Sequence, residues 1–149
     1  MPKKRVIVYV DGFNFYFGLR SLGWKKFYWM DMVKFFECFI TEDKELVMVK
    51  YFTARPLIEG DRNRQAAFLD ANSLNPRFAI IYGNYASKLD PATNSRIGTE
   101  EKKTDVAIGV NLYRDAVQNA CDISILVTGD TDQVPAVRLV KKDKPTHGY

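Results

Sequence analysis

Short apolar runs, each broken off abruptly by turn or acidic residues, constrain the fold of this chain more than any other feature. Arg5–Val10 is β-branched, almost continuously apolar, and stopped by Asp11-Gly12. An apolar run of that length bounded by a turn reads as a strand buried on both faces. Glu45–Ala54 (ELVMVKYFTA), Arg77–Tyr82 (RFAIIY, ended by Gly83-Asn84) and Asp122–Thr128 (DISILVT) have the same character. Such strands need covering on both sides, so the segments between them must supply two helical layers.

Those segments carry helical patterns. Asn14–Leu22 and Asp31–Ile40 read as helices, the second placing Val33, Phe36 and Ile40 on one side. Asp61–Ser73 reads as a helix with Ala67, Phe68 and Ala71 inward. Thr104–Ala120 is the clearest helix, with Thr104 as N-cap and Val106, Val110, Tyr113 and Val117 as its expected apolar face. Asp132–Lys142 closes the series, with Pro135 tolerated in its first turn. Residues 84–100 lack periodicity and read as one long loop. The predicted fold is a three-layer α/β/α domain over residues 1–149, with a parallel sheet in the order 3-2-1-4.

Composition narrows the chemistry. The 149 residues hold 22 Lys+Arg against 18 Asp+Glu, a net charge of +4, and a single histidine, His147. One histidine near the end disfavours a Ser-His-Asp triad and a histidine-built zinc site. Cys38 and Cys121 lie far apart without a Cys-x-x-Cys pattern and read as buried free thiols in a reducing compartment. No targeting segment or membrane-length apolar stretch stands out, so a cytoplasmic protein without a membrane partner is expected. The basic excess sits at the two ends, which suits a polyanionic partner and equally suits a solvated surface.

In open α/β sheets ligands bind outside the carboxyl ends of the strands. Asp11 follows strand one, Asp130 and Asp132 follow strand four in Thr128-Gly-Asp-Thr-Asp132, and Asp105 opens the helix feeding strand four. If strands one and four are neighbours, the four carboxylates meet in one crevice, where their repulsion calls for a cation. Oxygen ligands without His or Cys select Mg²⁺ or Mn²⁺ over zinc. Each acid also has a plain role open to it: Asp11 as a turn residue, Asp105 as a first-turn dipole partner, Asp130 or Asp132 as a cap. Asn14 can orient a carboxylate or phosphate oxygen, or serve as a helix cap. Gly109 permits either close substrate approach or tight packing. Lys102-Lys103, just before Thr104-Asp105, would offset the acids toward a phosphodiester or remain solvated. Aromatics crowd residues 13–29, and one or two exposed rings there could stack on unpaired bases.

Three blocks, IVYVDGFNFYFGL (7–19), EEKKTDVAIGVNLYRDA (100–116) and DISILVTGDTDQVPAV (122–137), resemble the NYN domain, in the LabA-like branch of the PIN-like nucleases. The resemblance implies a PIN-like fold in 3-2-1-4-5 order and an Mg²⁺- or Mn²⁺-dependent ribonuclease site. Asp11, Asp105, Asp130 and Asp132 match the family's acidic positions, Asn14 the Asn of its first motif, and Thr128 the hydroxyl residue before Gly-Asp. Family members usually continue into a further strand and helix, where this chain has KDKPTHGY. The fifth strand is therefore expected to be missing or replaced, and the exposed edge beside strand four to pair copies into a homodimer or larger assembly. The expected function is phosphodiester hydrolysis of single-stranded or structured RNA; the alternative is a non-catalytic RNA-binding or regulatory module on the same fold. Other phosphotransfer folds match less well: a haloacid-dehalogenase-like site wants an Asp where Phe13 stands, and a TOPRIM-like site a Glu where Asp11 stands.

Overall fold

The computed structural model describes residues 1–24, 26, 29–54, 59–102 and 104–149, with the backbone alone described for 17, 59–62, 84–88 and 96–102. The elements run β1 (Lys4–Asp11), α1 (Gly12–Ser21), α2 (Met32–Glu37), β2 (Lys44–Ala54), α3 (Glu59–Ser73), β3 (Phe78–Leu89), β4 (Arg96–Lys102), α4 (Thr104–Val117), β5 (Ile123–Val127) and α5 (Val134–Asp143). A 3₁₀ turn, Thr131–Gln133, precedes α5.

The four strands expected from the apolar runs pair in parallel: β1 lies between β2 and β5, and β3 joins the far side of β2. Counting those four alone, the order is the expected 3-2-1-4. Alternation along β1 feeds two cores. Val6, Val8 and Val10 pack with Met32, Val33, Phe36 and Leu69, while Ile7 and Tyr9 pack with Phe52, Ile108 and Leu112. Helices α2 and α3 thus cover one face and α4 the other, which makes three layers.

Three expectations change. Residues 84–100 are not a loop: β3 runs on to Leu89 and pairs antiparallel with β4, from Asn84↔Lys102 to Leu89↔Arg96. The β2–β3 pairing ends at Ala54↔Gly83, so this hairpin extends beyond β2, past the end of the sheet where β1 finishes. Asp90 makes the turn, its carboxylate accepting from Ala92 N at 2.8 Å, with Asn94 in the left-handed region at φ 57. The polar composition of the segment hides the ribbon.

Second, the inward face of α4 is not the valine stripe. Ile108, Leu112, Asp115 and Ala116 are buried, whereas Val106 is 69% and Val110 58% exposed. Two apolar stripes of similar spacing compete on this helix, and the larger Ile and Leu side chains take the core. On α3, likewise, Leu69 and Asn72 are buried, Phe68 only partly, and Ala67 and Ala71 are exposed.

Third, the C-terminal segment partly covers the outer edge of β5. Ser124 N donates to Gly148 O and Gly148 N to Asp122 O, both at 3.0 Å, forming a single parallel bridge in place of a strand. The extra sheet strand is β4, at the opposite edge. Cys121 is buried as expected, but Cys38, at the end of α2, is exposed. Among the described residues, no helix is long and apolar enough to cross a membrane.

Candidate active site

Asp11 ends β1 in the centre of the sheet and caps α1, its Oδ1 accepting from Asn14 N at 3.1 Å. Chain direction turns here in minimal space. A Cβ on Gly12 would lie 2.5 Å from the Tyr51 ring and 2.6 Å from Phe52 O, so only glycine fits between strand and helix. Asp11 is 2% exposed. Its Oδ2 accepts from Asn14 Nδ2 at 2.5 Å and from Thr128 Oγ1 at 3.1 Å. Every described partner of this buried carboxylate is neutral.

Thr128 links the two strand ends. While donating to Asp11, its hydroxyl accepts from Asp130 N at 3.1 Å, and Asp130 Oδ1 in turn accepts from Asp132 N at 2.9 Å. Asp130 therefore caps the 3₁₀ turn, as Asp11 caps α1; the capping and the site readings describe the same side chains. Asp105 lies in the first turn of α4. Its carboxyl is pushed up, first by partial desolvation and then by the charges of Asp130, Asp11 and Asp132. The charges of the other three acids thus reach Asp105.

Proximity is not yet ligation. Among the described residues, no three His, Cys, Asp or Glu side chains gather closely enough to hold one metal ion. The donor type nevertheless fits a hard divalent cation: the four acids offer only carboxylate oxygens, and a cation beside Asp105 would offset the charges acting on it. Lys103 lies outside the described residues, as does the side chain of Lys102; the backbone places Lys102 at the end of β4, two residues before α4. Thr104 Oγ1 is buried without a hydrogen-bond partner among the described residues, so the expected N-cap role is not seen.

Two groups escape sequence reasoning. Gln133 is 3% exposed and its Nε2 donates to Asp105 O at 2.9 Å, joining the 3₁₀ turn to α4. Gly109 meets this residue: a Cβ there would sit 3.4 Å from Gln133 Oε1 and 3.5 Å from Ala136 Cβ, ordinary contact distances, so neither close approach nor tight packing requires the glycine. The second group is Asp115, whose Oδ2 accepts from Lys50 Nζ at 2.5 Å and from Tyr9 OH at 2.8 Å. Burial and the Asp115 charge hold the Tyr9 hydroxyl well above its ordinary pKa, and burial pushes the neighbouring Cys121 thiol up. A lysine on one strand and an aspartate on a distant helix give no local motif.

The NYN domain family matches residues 5–149. The chain belongs to this family. It is also 29% identical, over 177 aligned positions covering 92% of this chain, to 6-hydroxy-3-succinoylpyridine 3-monooxygenase HspA of Pseudomonas putida. The match takes in 55% of that relative, so this chain spans about half its length. A crystal structure of a protein of unknown function from Vibrio parahaemolyticus shares the NYN chain's fold, with a TM-score of 0.60 at 21% identity, covering 97% of this chain and 78% of that one. An NYN domain carries a PIN-like nuclease fold, and the parallel sheet flanked by helices agrees with it.

Proposed function

We propose that this NYN protein, of the LabA-like branch, is a metal-dependent ribonuclease that hydrolyses RNA phosphodiesters, with Asp11, Asp105, Asp130 and Asp132 holding Mg²⁺ or Mn²⁺. The observation that carries the reading is Asp11: a carboxylate buried at the carboxyl end of the central strand, ringed by neutral donors, with three further acids raising the charge density beside it. A divalent ion bound there would supply Lewis-acid polarisation of a phosphate and acidify a water.

The protein's part is orientation. Asn14 and Thr128 use their donors to fix both Asp11 oxygens, and Thr128 sets the position of the Asp130 backbone through the same hydroxyl. Asp130 in turn orders the tight turn that presents Asp132. Lys102 and Lys103, flanking the start of α4, are assigned to the phosphate backbone, where cations offset the acids against a polyanion.

Substituting Asp11→Asn and Asp130→Asn tests the assignment in a cleavage assay with Mg²⁺ or Mn²⁺. Both should lose cleavage of RNA to 5′-phosphate and 3′-hydroxyl ends; retained cleavage by both variants rejects it. The scattered carboxylates favour a second reading, a non-catalytic RNA-binding module. It predicts salt-dependent RNA binding that EDTA leaves unchanged and no products. The Pseudomonas putida relative is named as a monooxygenase, so 6-hydroxy-3-succinoylpyridine belongs beside RNA, DNA and nucleotides in the substrate panel.

A further inference from the structure

Asp105 comes from α4, whereas Asp130 and Asp132 come from the segment after β5, and polar contact joins these elements near the site. One such contact is the side chain of Gln133. Its Nε2 donates to Asp105 O at 2.9 Å, it belongs to the same 3₁₀ turn as Asp132, and it is almost wholly buried. Its Oε1 lies beside Gly109, one helical turn beyond Asp105. The amide is therefore tied through its nitrogen to the backbone carbonyl of an acid in the proposed site.

We infer that Gln133 is a positioning residue that sets the separation between Asp105 and the Asp130–Asp132 turn, and through it the affinity of the site for a divalent cation. The inference rests on the metal-site reading given above. Gln133 ligates nothing; it acts on the backbone of one acid from the turn bearing two others. Partners of this kind typically affect metal affinity by about 10–100-fold when removed. Neutral glutamine suits the position, because a carboxylate would add a further negative charge beside the four acids and give up the donor.

Calorimetric titration of the full chain with MnCl₂ alone, together with thermal unfolding, tests this without an activity assay. Gln133→Met keeps side-chain length and apolar bulk but removes the donor. It should weaken Mn²⁺ binding about tenfold while leaving a cooperative unfolding transition. Gln133→Asn keeps the amide one methylene short and should give an intermediate affinity; it decides the question should the Met variant not fold. Wild-type affinity in the variants, whether or not their unfolding temperature falls, overturns the positioning role and leaves the metal site standing. No Mn²⁺ binding by the wild-type chain overturns both.

Discussion

Asp11, at the end of β1, and Asp115, on α4, are buried to almost the same degree, 2% and 4% exposed, and they are treated in opposite ways. Asp115 receives a cation of its own, Lys50, and the Tyr9 hydroxyl, with the exposed Arg114 guanidinium 3.6 Å from its other oxygen. Asp11 receives an amide, a hydroxyl and a backbone N–H, while its charged neighbours among the described site residues are acids. Burying a charge is costly unless it is paired. The protein completes one carboxylate internally and leaves the other oriented but uncompensated. In the function proposed above, that difference separates a structural acid from one that meets a cation.

Exchanging the two carboxylates for amides tests the contrast most severely. Asp11→Asn should lower metal-dependent RNA cleavage by roughly a hundredfold or more, the scale on which even outer partners of a metal site act, and it should leave the unfolding temperature near the wild-type value or above it. Asp115→Asn should do the reverse. Removing one member of a buried pair strands the other charge, at a cost of about 3–5 kcal/mol, which denaturant titration would read directly. Equal effects of the two substitutions on both cleavage and stability would erase the distinction.

A sharper version removes the cation as well. In Lys50→Met with Asp115→Leu, no charge is left stranded, and apolar replacements for a buried pair are commonly neutral or stabilising. The double variant should recover most of the stability lost by Asp115→Asn, and its cleavage should match wild type. Stability as low as in the single variant would mean that the pair contributes more than mutual neutralisation.

Asp105 extends the comparison to pH. The fold raises its pKa, so the folded chain holds this proton more tightly than the unfolded chain does. Ionising it therefore costs stability as pH rises from the ordinary carboxylate range through the raised value, and the cost is complete above it. Asp105→Asn should raise the unfolding temperature of the metal-free protein at pH 7 and leave it unchanged at pH 3, where both forms are neutral. Added Mn²⁺ should then stabilise wild type and not the variant. A variant less stable than wild type at pH 7 would show that Asp105 is not under the repulsion described.

How legible these features are in the sequence depends on whether their signal is local. The parallel strands are written in runs such as Val6–Val10 and Ile123–Val127, where hydrophobicity alone fixes the element, and the acids closing them are visible because strand ends face one edge. Asp11 reads locally as a turn residue and Asn14 as the cap; the helix instead starts at Gly12, which makes Asp11 the cap. The 84–102 hairpin could not be anticipated: ribbon pairing satisfies its backbone while its side chains carry no apolar alternation. On α4 the valine stripe mimics the buried one, and what distinguishes them is the size of Ile108 and Leu112 together with the Lys50 partner of Asp115, 65 residues away. Gln133 looks like an ordinary helix-start residue until its contact with Asp105 O, 28 residues distant, is seen.

The smallest expected effect lies at the outer edge of β5, where Ser124 Oγ meets His147 Nε2 at 2.8 Å beside the Gly148 bridge. Desolvation lowers the His147 pKa; Asp122 pulls it back up, and Lys144 lowers it further. A histidine whose folded pKa is depressed contributes stability that is present above its unfolded value, near 6.5, and is lost as pH falls through the folded one. Here the loss should be local, because His147 belongs to a segment held by one bridge and not to the main sheet. Amide exchange at Ser124 and Gly148, corrected for intrinsic rates, should therefore quicken between pH 7.5 and pH 5, while amides of β1 stay protected. His147→Gln, which cannot gain a proton, should abolish that pH dependence; a variant that keeps it would overturn the assignment to His147, because the Asp122 carboxylate, held low by the Arg5 guanidinium, does not titrate in that range.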